Sequence, residues 1–450
     1  MKSRLLLSVA MIPLVIMVLR GGDGGQDVIV QLKEGHSGRE LDDDYGDKKS
    51  DDLANKGIYV IHIADSAREQ TVLRALQKDP VVENAETDRR VKLSWARLAN
   101  VSPGLVQDMI AHLDGQTMTS FNGATVLKAY AEQPAMKVIG ADQVRNSSTG
   151  AGTRVAYIDT GVDPMHPALR PWLDPGADVL NDRSASELSG LSQDMLSLLD
   201  QDMMSLLDQD MMSLLDHKLI FLLNQSPASI LNSAARSSVF PPAFGHGTLV
   251  AGAIHVVAPD ARIVPIKAFN GYGYTTMFSL IESVYKAIDL DVDVLNMSFS
   301  TTENSNIFRK ALEKARDEGI ALVASAGNDA RDGKDLYPAT YKGVYSVAAT
   351  DLNDRLASFS NYGTGVSVTA PGAYVISTLP GGKYAAAWGT SFSAPVVSGA
   401  MAMLASSRGH GKSNPTLVIN TADSIDVLNP GYEKKLGRGR INVSQALKRR

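Results

Sequence analysis

The chain has 450 residues, of which 44% are hydrophobic and 21% charged, a composition typical of a globular protein with a large and a smaller domain. Its formal net charge of -5 lacks the excess of basic residues that nucleic-acid binding requires, so no nucleic-acid partner is expected. The chain contains no cysteine, which excludes disulfides, thiolate metal sites and a cysteine nucleophile.

The N-terminus has the layout of a secretory signal. Lys2 and Arg4 precede an apolar run from Leu5 to Leu19, which has the length of a signal-peptide core. The run is slightly short for a transmembrane helix, and no clear small-residue cleavage site follows it. We therefore expect residues 1–25 to be a signal peptide and the protein to be secreted or extracytoplasmic. The alternative is an uncleaved membrane anchor, the one case in which a membrane partner is expected.

Residues 27–93 have the pattern of a small α+β domain. A capping box at Ser66–Glu69 predicts the start of a helix. β-Branched and aromatic runs predict strands at Val28–Val30, Ile58–Ile61 and Val81–Val82. Residues 94–135 have a weaker pattern, and we interpret them as a linker or processing region whose cleavage site the sequence does not locate.

From residue 136 to the C-terminus, apolar strands alternate with amphipathic helices. This alternation predicts an α/β fold with a mostly parallel sheet between two helical layers. Strands are predicted at Val155–Ile158, Ile263–Ile266, Val292–Met297, Ala321–Ala324 and Val344–Ala348. Helices with apolar residues at a 3.6-residue period are predicted at 277–288 and 307–315.

A tandem repeat interrupts this alternation. The octad Gln-Asp-Met-(Leu/Met)-Ser-Leu-Leu-Asp occurs three times between Gln193 and Asp216. Because eight residues exceed two helical turns, the apolar stripe of one continuous helix would wander around its surface. We expect an insertion at about 183–235 without chemistry of its own; a lid or a partner-binding segment is the alternative.

Three short motifs place reactive side chains at the ends of predicted elements. Asp159 ends a buried strand, the place where ligand and catalytic groups of open α/β sheets gather. His246 lies between two glycines at the start of a helix rich in small residues. Ser391 lies at a helix N-terminus with Pro395 in the predicted first turn, and free N–H groups there favour negative charge on a substrate oxygen. Taken singly, these residues are also explained by a structural cap, a metal ligand or surface histidine, and an N-cap, respectively.

Together the motifs resemble the active-site signatures of the subtilisin-like serine proteases, the subtilases. The matching residues, in that family's order, are Asp159-Thr160-Gly161, His246-Gly247-Thr248 and Gly389-Thr390-Ser391 with Ala394-Pro395. The resemblance spans about 136–443 and implies a subtilisin-like three-layer fold and a serine endopeptidase that acts on polypeptides. It also implies that Ser391 attacks the peptide carbonyl, that His246 transfers the proton, and that Asp159 orients the imidazole.

The resemblance assigns further residues around this triad. Asn328 by itself is typical of a turn residue, but the resemblance implies that it stabilises the oxyanion. The implied substrate-binding residues are Ser298, Phe299, Ser300, Ala324, Ser325, Ala326, Gly327 and Leu336. Leu336 stands where relatives often have glycine, which predicts a shallow S1 pocket, and the following Tyr337–Pro338 bond is expected to be cis.

The small domain resembles the inhibitory propeptide of the same family, which implies a ferredoxin-like α+β fold for it. The chain is therefore expected to be an autoinhibited precursor with the propeptide as an intramolecular partner; an unrelated α+β accessory domain is the alternative. Ala253–Val257 leads directly into Ala258-Pro259 and leaves no room for the tight calcium loop of many relatives. No metal or cofactor is expected to be required, although weak calcium sites remain open.

Other functions compete with an active protease. A subtilisin-fold binding or scaffold module is the first, but it has no chemical need for Asp159, His246, Asn328 and Ser391 together. An esterase with a nucleophile elbow is the second, but Ser391 lacks the Gly-x-Ser-x-Gly frame, and the order of the triad differs. A related carboxyl-type protease needs an acidic residue at position 246.

Overall fold

The computed structural model describes residues 26–41, 45–50, 53–93, 109–112, 117–180, 243–407 and 415–449. The expected signal segment and the octad insertion both lie outside these residues. Among the described helices, none is long and apolar enough to cross a membrane. The chain divides into two compact units, one ending at Asp88 and the other beginning at Arg89.

The first unit is a four-stranded antiparallel sheet with one α-helix. Its elements are β1 (Gln26–Leu32), β2 (Asp47–Ser50), β3 (Ile58–Ile63), α1 (Glu69–Leu76) and β4 (Val82–Thr87). The strand order β2-β3-β1-β4 is that of a ferredoxin-like sheet. Val28 and Val30 alternate along β1 and pack against Val72 and Leu76 of α1, which gives this unit its own core.

The start of α1 differs from the prediction. Asp65, not Ser66, is the capping residue, since its side chain accepts a hydrogen bond of 3.0 Å from the N–H of Ala67. The predicted capping-box residues 66–68 instead form a 3-10 turn that leads into α1.

The second unit contains the remaining strands and helices. Its strands are β5 (Arg90–Lys92), β6 (Met109–His112), β7 (Met118–Phe121), β8 (Ala124–Leu127), β9 (Arg154–Asp159), β10 (Ala177–Asp178), β11 (Arg262–Lys267), β12 (Tyr274–Thr276), β13 (Val294–Met297), β14 (Ala321–Ser325), β15 (Val344–Thr350), β16 (Val368–Pro371), β17 (Ala373–Leu379) and β18 (Lys383–Trp388). Its helices are α2 (Lys128–Ala131), α3 (Pro134–Val138), α4 (His246–Val257), α5 (Met277–Asp289), α6 (Asn306–Asp317), α7 (Thr390–Ser407), α8 (Thr416–Asn420) and α9 (Val443–Lys448).

A seven-stranded parallel sheet forms the centre of this unit, in the order β10-β11-β9-β13-β14-β15-β16. Helices α4 and α7 pack together over the face that carries Val155 and Tyr157, while α5 and α6 pack against each other. The central strands are buried along their length because helices cover both faces. The predicted three-layer α/β fold is confirmed, and each predicted strand and helix of this region is present.

The described residues of the predicted linker region, 109–112 and 117–135, and those just before it contact elements of the second unit. Arg89 already belongs to the second unit, and β5 pairs antiparallel with β12. Strand β6 pairs with β18, and β7 and β8 form a hairpin. Phe121 and Tyr130 are buried in the core of the second unit. These three- and four-residue strands are too short to produce a periodic sequence pattern, which is why the sequence alone does not predict them.

Candidate active site

Asp159 lies at the carboxyl end of β9, in the middle of the parallel sheet. Its side chain is fully buried, and Oδ1 accepts a hydrogen bond of 2.8 Å from the N–H of Thr160. The same oxygen lies 2.7 Å from Nδ1 of His246. A carboxylate only accepts hydrogen bonds, so the imidazole proton lies on Nδ1, and Nε2 is left as the basic nitrogen.

His246 is the first residue of α4, and glycines on both sides allow its close approach to the Asp159 motif. Gly245 caps the helix with a positive φ of 88°. A Cβ atom on Gly247 would lie 2.1 Å from the carbonyl oxygen of Gly161. The motifs of Asp159 and His246 therefore pack backbone against backbone, which only a residue without a side chain permits.

Ser391 is the second residue of α7, which packs against the helix that begins with His246. The ring of His246 lies 5.7 Å, centroid to centroid, from that of Phe392, the residue after Ser391. The sequence therefore correctly predicts a helix start at this serine. Pro395, however, is the sixth residue of α7 rather than part of its first turn.

This position of Pro395 affects the serine directly. Proline has no N–H group, so it cannot donate the helical hydrogen bond to the carbonyl oxygen of Ser391, four residues earlier. The hydroxyl of Ser298 donates to that oxygen at 2.8 Å, and the Ser391 hydroxyl in turn donates to the Ser298 carbonyl at 3.2 Å. Ser298 therefore contacts Ser391, the predicted nucleophile, in addition to its expected place beside the substrate.

Asn328 lies against Thr390, the residue before Ser391. Its side-chain oxygen accepts two hydrogen bonds of 2.8 Å, from the N–H and from the hydroxyl of Thr390. These bonds fix the orientation of the amide and leave Nδ2 as its donor end. The N–H of Gly327 donates to the Thr390 hydroxyl at 3.2 Å, so Thr390 ties the Asn328 loop to the start of α7.

The predicted substrate-binding residues lie together beside this site. Ser298–Ser300 and Ala324–Gly327 occupy the carboxyl ends of the neighbouring strands β13 and β14. The hydroxyl of Ser325 donates to the carbonyl of Phe299 at 3.4 Å. Leu336 is buried, and its Cδ1 lies 2.9 Å from where a Cβ on Gly327 would be. The predicted cis bond between Tyr337 and Pro338 is present.

Two threonines contribute contacts that the sequence interpretation did not assign. Thr160 accepts a hydrogen bond of 3.0 Å from the N–H of Gly247, which joins the Asp and His motifs. Thr390 joins the Asn and Ser motifs, as described above. Thr160 and Thr390 both lie inside the sequence motifs of Asp159 and Ser391. That position next to the predicted site residues was the one sequence feature that could have indicated their role. Over the described ranges, no group of three histidine, aspartate or glutamate side chains lies close enough to hold a metal ion.

Comparison with known proteins shows which family the chain is related to. A sequence model described as the Subtilase family matches residues 150–442. A thermostable alkaline protease of Halalkalibacterium halodurans is 39% identical over 171 residues, 36% of this chain and 47% of that protein. Thermitase of Thermoactinomyces vulgaris is 29% identical over 320 residues, 69% of this chain and 93% of that protein.

The first of these matches spans about half of the relative's own length. Among solved structures, fervidolysin from Fervidobacterium pennivorans, described as a keratinolytic enzyme related to subtilisin, superimposes with a TM-score of 0.64. The superposition covers 94% of this chain and 61% of fervidolysin at 22% sequence identity, and it therefore supports the fold alone. Since the family match covers more than half of the sequence, the chain belongs to the subtilase family.

Proposed function

We propose that this chain is a serine endopeptidase that hydrolyses peptide bonds of polypeptides through Asp159, His246 and Ser391. The observation that carries the proposal is the buried contact of 2.7 Å between Asp159 Oδ1 and His246 Nδ1. This contact lies at the start of the helix that packs against the one bearing Ser391. A buried carboxylate that orients an imidazole beside a helix-terminal serine is the arrangement of a charge-stabilised base and nucleophile.

In this proposal, Ser391 Oγ attacks the peptide carbonyl while His246 Nε2 takes its proton. The tetrahedral intermediate collapses to an acyl-enzyme, and the imidazolium returns the proton to the leaving amine; water then repeats the sequence. Asp159 stabilises the imidazolium. The amide of Asn328 and the N–H of Ser391 would donate to the oxyanion, an electrostatic contribution typically worth about 3 kcal/mol. We propose that these protein groups suffice for hydrolysis without a required cofactor or metal; weak calcium sites stay open in this proposal.

The proposed substrate is an extended polypeptide. Strand β12 lies beside the site, since Gly271 just before it accepts a hydrogen bond of 2.8 Å from Ala243, three residues before His246. The chain's own β5 already pairs with β12, which supports binding by addition of a strand. The buried side chain of Leu336 against Gly327 supports a shallow S1 pocket and a preference for small P1 side chains.

We further propose that the chain is an autoinhibited precursor. Residues 27–93 would be the inhibitory propeptide, and the ferredoxin-like order of β1 to β4 supports this assignment. Both flanks of segment 94–108 lie in the second unit: β5 pairs with β12, while Met109 of β6 pairs with Trp388, three residues before Ser391. We place the processing cut in this segment. Residues 1–25 would direct export of the precursor.

The direct test is labelling with a fluorophosphonate probe. The full chain and its Ser391→Ala variant are expressed and then allowed to mature or nicked with trypsin. Both are treated with the probe, and the labelled residue is identified by mass spectrometry. We expect the label at Ser391 in the wild type and none in the variant. A matured, folded wild type that takes no label would refute the protease proposal and favour a binding module with this fold.

A further inference from the structure

Asn361 makes four hydrogen bonds to the loop that carries Asn328. Its side-chain oxygen accepts from the N–H groups of Asp329 at 3.0 Å and Arg331 at 3.1 Å. Its side-chain nitrogen donates to the carbonyl of Ala326 at 3.0 Å, and its backbone N–H donates to Gly327 at 2.9 Å. The bonded groups flank Asn328 on both sides along the chain.

The conformation of this loop depends on such support. Gly327 has a φ of 97° and Ala330 a φ of 53°, in the left-handed region that side chains other than glycine disfavour. A Cβ on Gly327 would lie 2.5 Å from the side-chain nitrogen of Asn361, so the loop and this amide are in close contact. Asn361 is fully buried, so its own side-chain amide depends on these bonds rather than on water.

Only a primary amide meets these demands, and glutamine carries that amide on a side chain one methylene longer. The site requires an acceptor for two N–H groups and a donor for one carbonyl within a single planar group, which is the chemistry of a primary amide. Aspartate keeps the acceptor but loses the donor, and it would add a buried negative charge facing the Ala326 carbonyl. Alanine would leave all three loop groups without their partner.

We infer that Asn361 is a positioning residue for oxyanion stabilisation: it fixes the loop that points Asn328 toward the substrate oxygen at Ser391. This inference rests on the proposed protease function and adds a second asparagine, remote in sequence, to its machinery. An oxyanion donor acts in the transition state, so a displaced Asn328 lowers kcat while KM stays nearly constant.

The test measures kcat and KM of matured enzyme for Asn361→Ala and Asn361→Asp, with the fraction of competent enzyme counted by active-site titration. We expect kcat to fall about 10- to 100-fold, part of the loss that removal of a whole oxyanion donor causes, with KM within about 2-fold. Each variant is also made in an Asn328→Ala background. There the second substitution should add less than about 3-fold, because the donor it positions is already gone.

Asn429→Ala is the matched control. Asn429 is also a buried asparagine with three side-chain bonds to backbone groups, of Leu356, Asp354 and Ile425, but none to the Asn328 loop. It should lower the melting temperature while kcat stays within about 2-fold of the wild type. The inference is overturned if the Asn361 variants lose only stability, if the loss appears in KM, or if their loss of kcat is unchanged in the Asn328→Ala background. A wild type without activity would instead refute the protease proposal.

Discussion

Ser298 and Ser391 are joined by two reciprocal hydrogen bonds, each hydroxyl donating to the other residue's backbone carbonyl, at 2.8 and 3.2 Å. The bond to the Ser391 carbonyl replaces the helical hydrogen bond that Pro395 cannot donate. Asn296 extends the contact: its amide donates to the Ser298 hydroxyl at 2.9 Å and accepts from Ser398 at 2.9 Å. Ser391, the proposed nucleophile, is thereby attached to the end of strand β13 as well as to its own helix.

We predict that Ser298→Ala destabilises the protein by about 1–3 kcal/mol, because the buried carbonyl of Ser391 loses its hydrogen-bond donor. Urea unfolding in the Ser391→Ala background, where self-digestion is prevented, measures the effect. The control is Pro395→Ala, which restores a helical N–H for the same carbonyl. If the double substitution Ser298→Ala, Pro395→Ala is as unstable as Ser298→Ala alone, the carbonyl is not the cause.

Asp159→Asn should lower kcat by about 10⁴-fold at neutral pH while the fold is kept. The amide has nearly the same shape, but it no longer enforces the Nδ1–H tautomer or stabilises the imidazolium. Steady-state kinetics on a peptide substrate measures the loss, and the melting temperature serves as the control for folding. If kcat falls by less than about 10-fold, the proposed role of Asp159 is contradicted.

The residues of the proposed triad could be singled out in the sequence because each lies next to a glycine or a small residue at the end of an element. Gly247 is an example. The Gly161 carbonyl approaches it so closely that only glycine fits, and a glycine at such a position can be read from the sequence. The alternation of buried strands and amphipathic helices likewise predicted the central sheet, since a parallel sheet needs apolar strands and covering helices.

Asn361 could not be predicted in the same way. Its four partners lie in the segment 326–331, about thirty residues earlier, and only the return of the chain after β15 brings the two loops together. Nothing local distinguishes it from an ordinary turn asparagine. The pairing of β6 with β18 was unpredictable for a related reason, since a four-residue strand is specified by its partner rather than by its own pattern.

Leu336→Gly should widen the proposed S1 pocket. Removing a buried leucine side chain next to Gly327 opens space for a large P1 residue, so kcat/KM for substrates with phenylalanine at P1 should rise by about 10- to 200-fold. The kcat/KM for substrates with alanine at P1 should change much less. Leu336→Val is the control with an intermediate side chain, and its kcat/KM for phenylalanine at P1 should lie between those of the wild type and Leu336→Gly. Equal changes for both substrates would show that Leu336 does not line the pocket.

The pH dependence of stability should carry a contribution from His255. This residue of α4 is fully buried, and neither ring nitrogen has a hydrogen-bond partner among the described residues. Burial, assisted by the charges of His166 and Arg145, lowers the pKa of His255 to about 3. The unfolded chain then binds a proton below about pH 6.5 that the folded chain does not, so the free energy of unfolding falls as the pH drops from about 6.5 to about 3.

The expected slope from this single group is about 1.4 kcal/mol per pH unit within that window, and nothing above it. Urea unfolding of Ser391→Ala between pH 4 and 8 is compared with the same series for Ser391→Ala, His255→Phe, because phenylalanine fits the ring contacts with Phe121 and Trp172 without a titrating group. The difference between the two curves isolates His255 from His166, whose pKa burial also lowers. Parallel curves would mean that His255 is protonated equally in the folded and unfolded chain, which requires water or another group to reach its ring nitrogens.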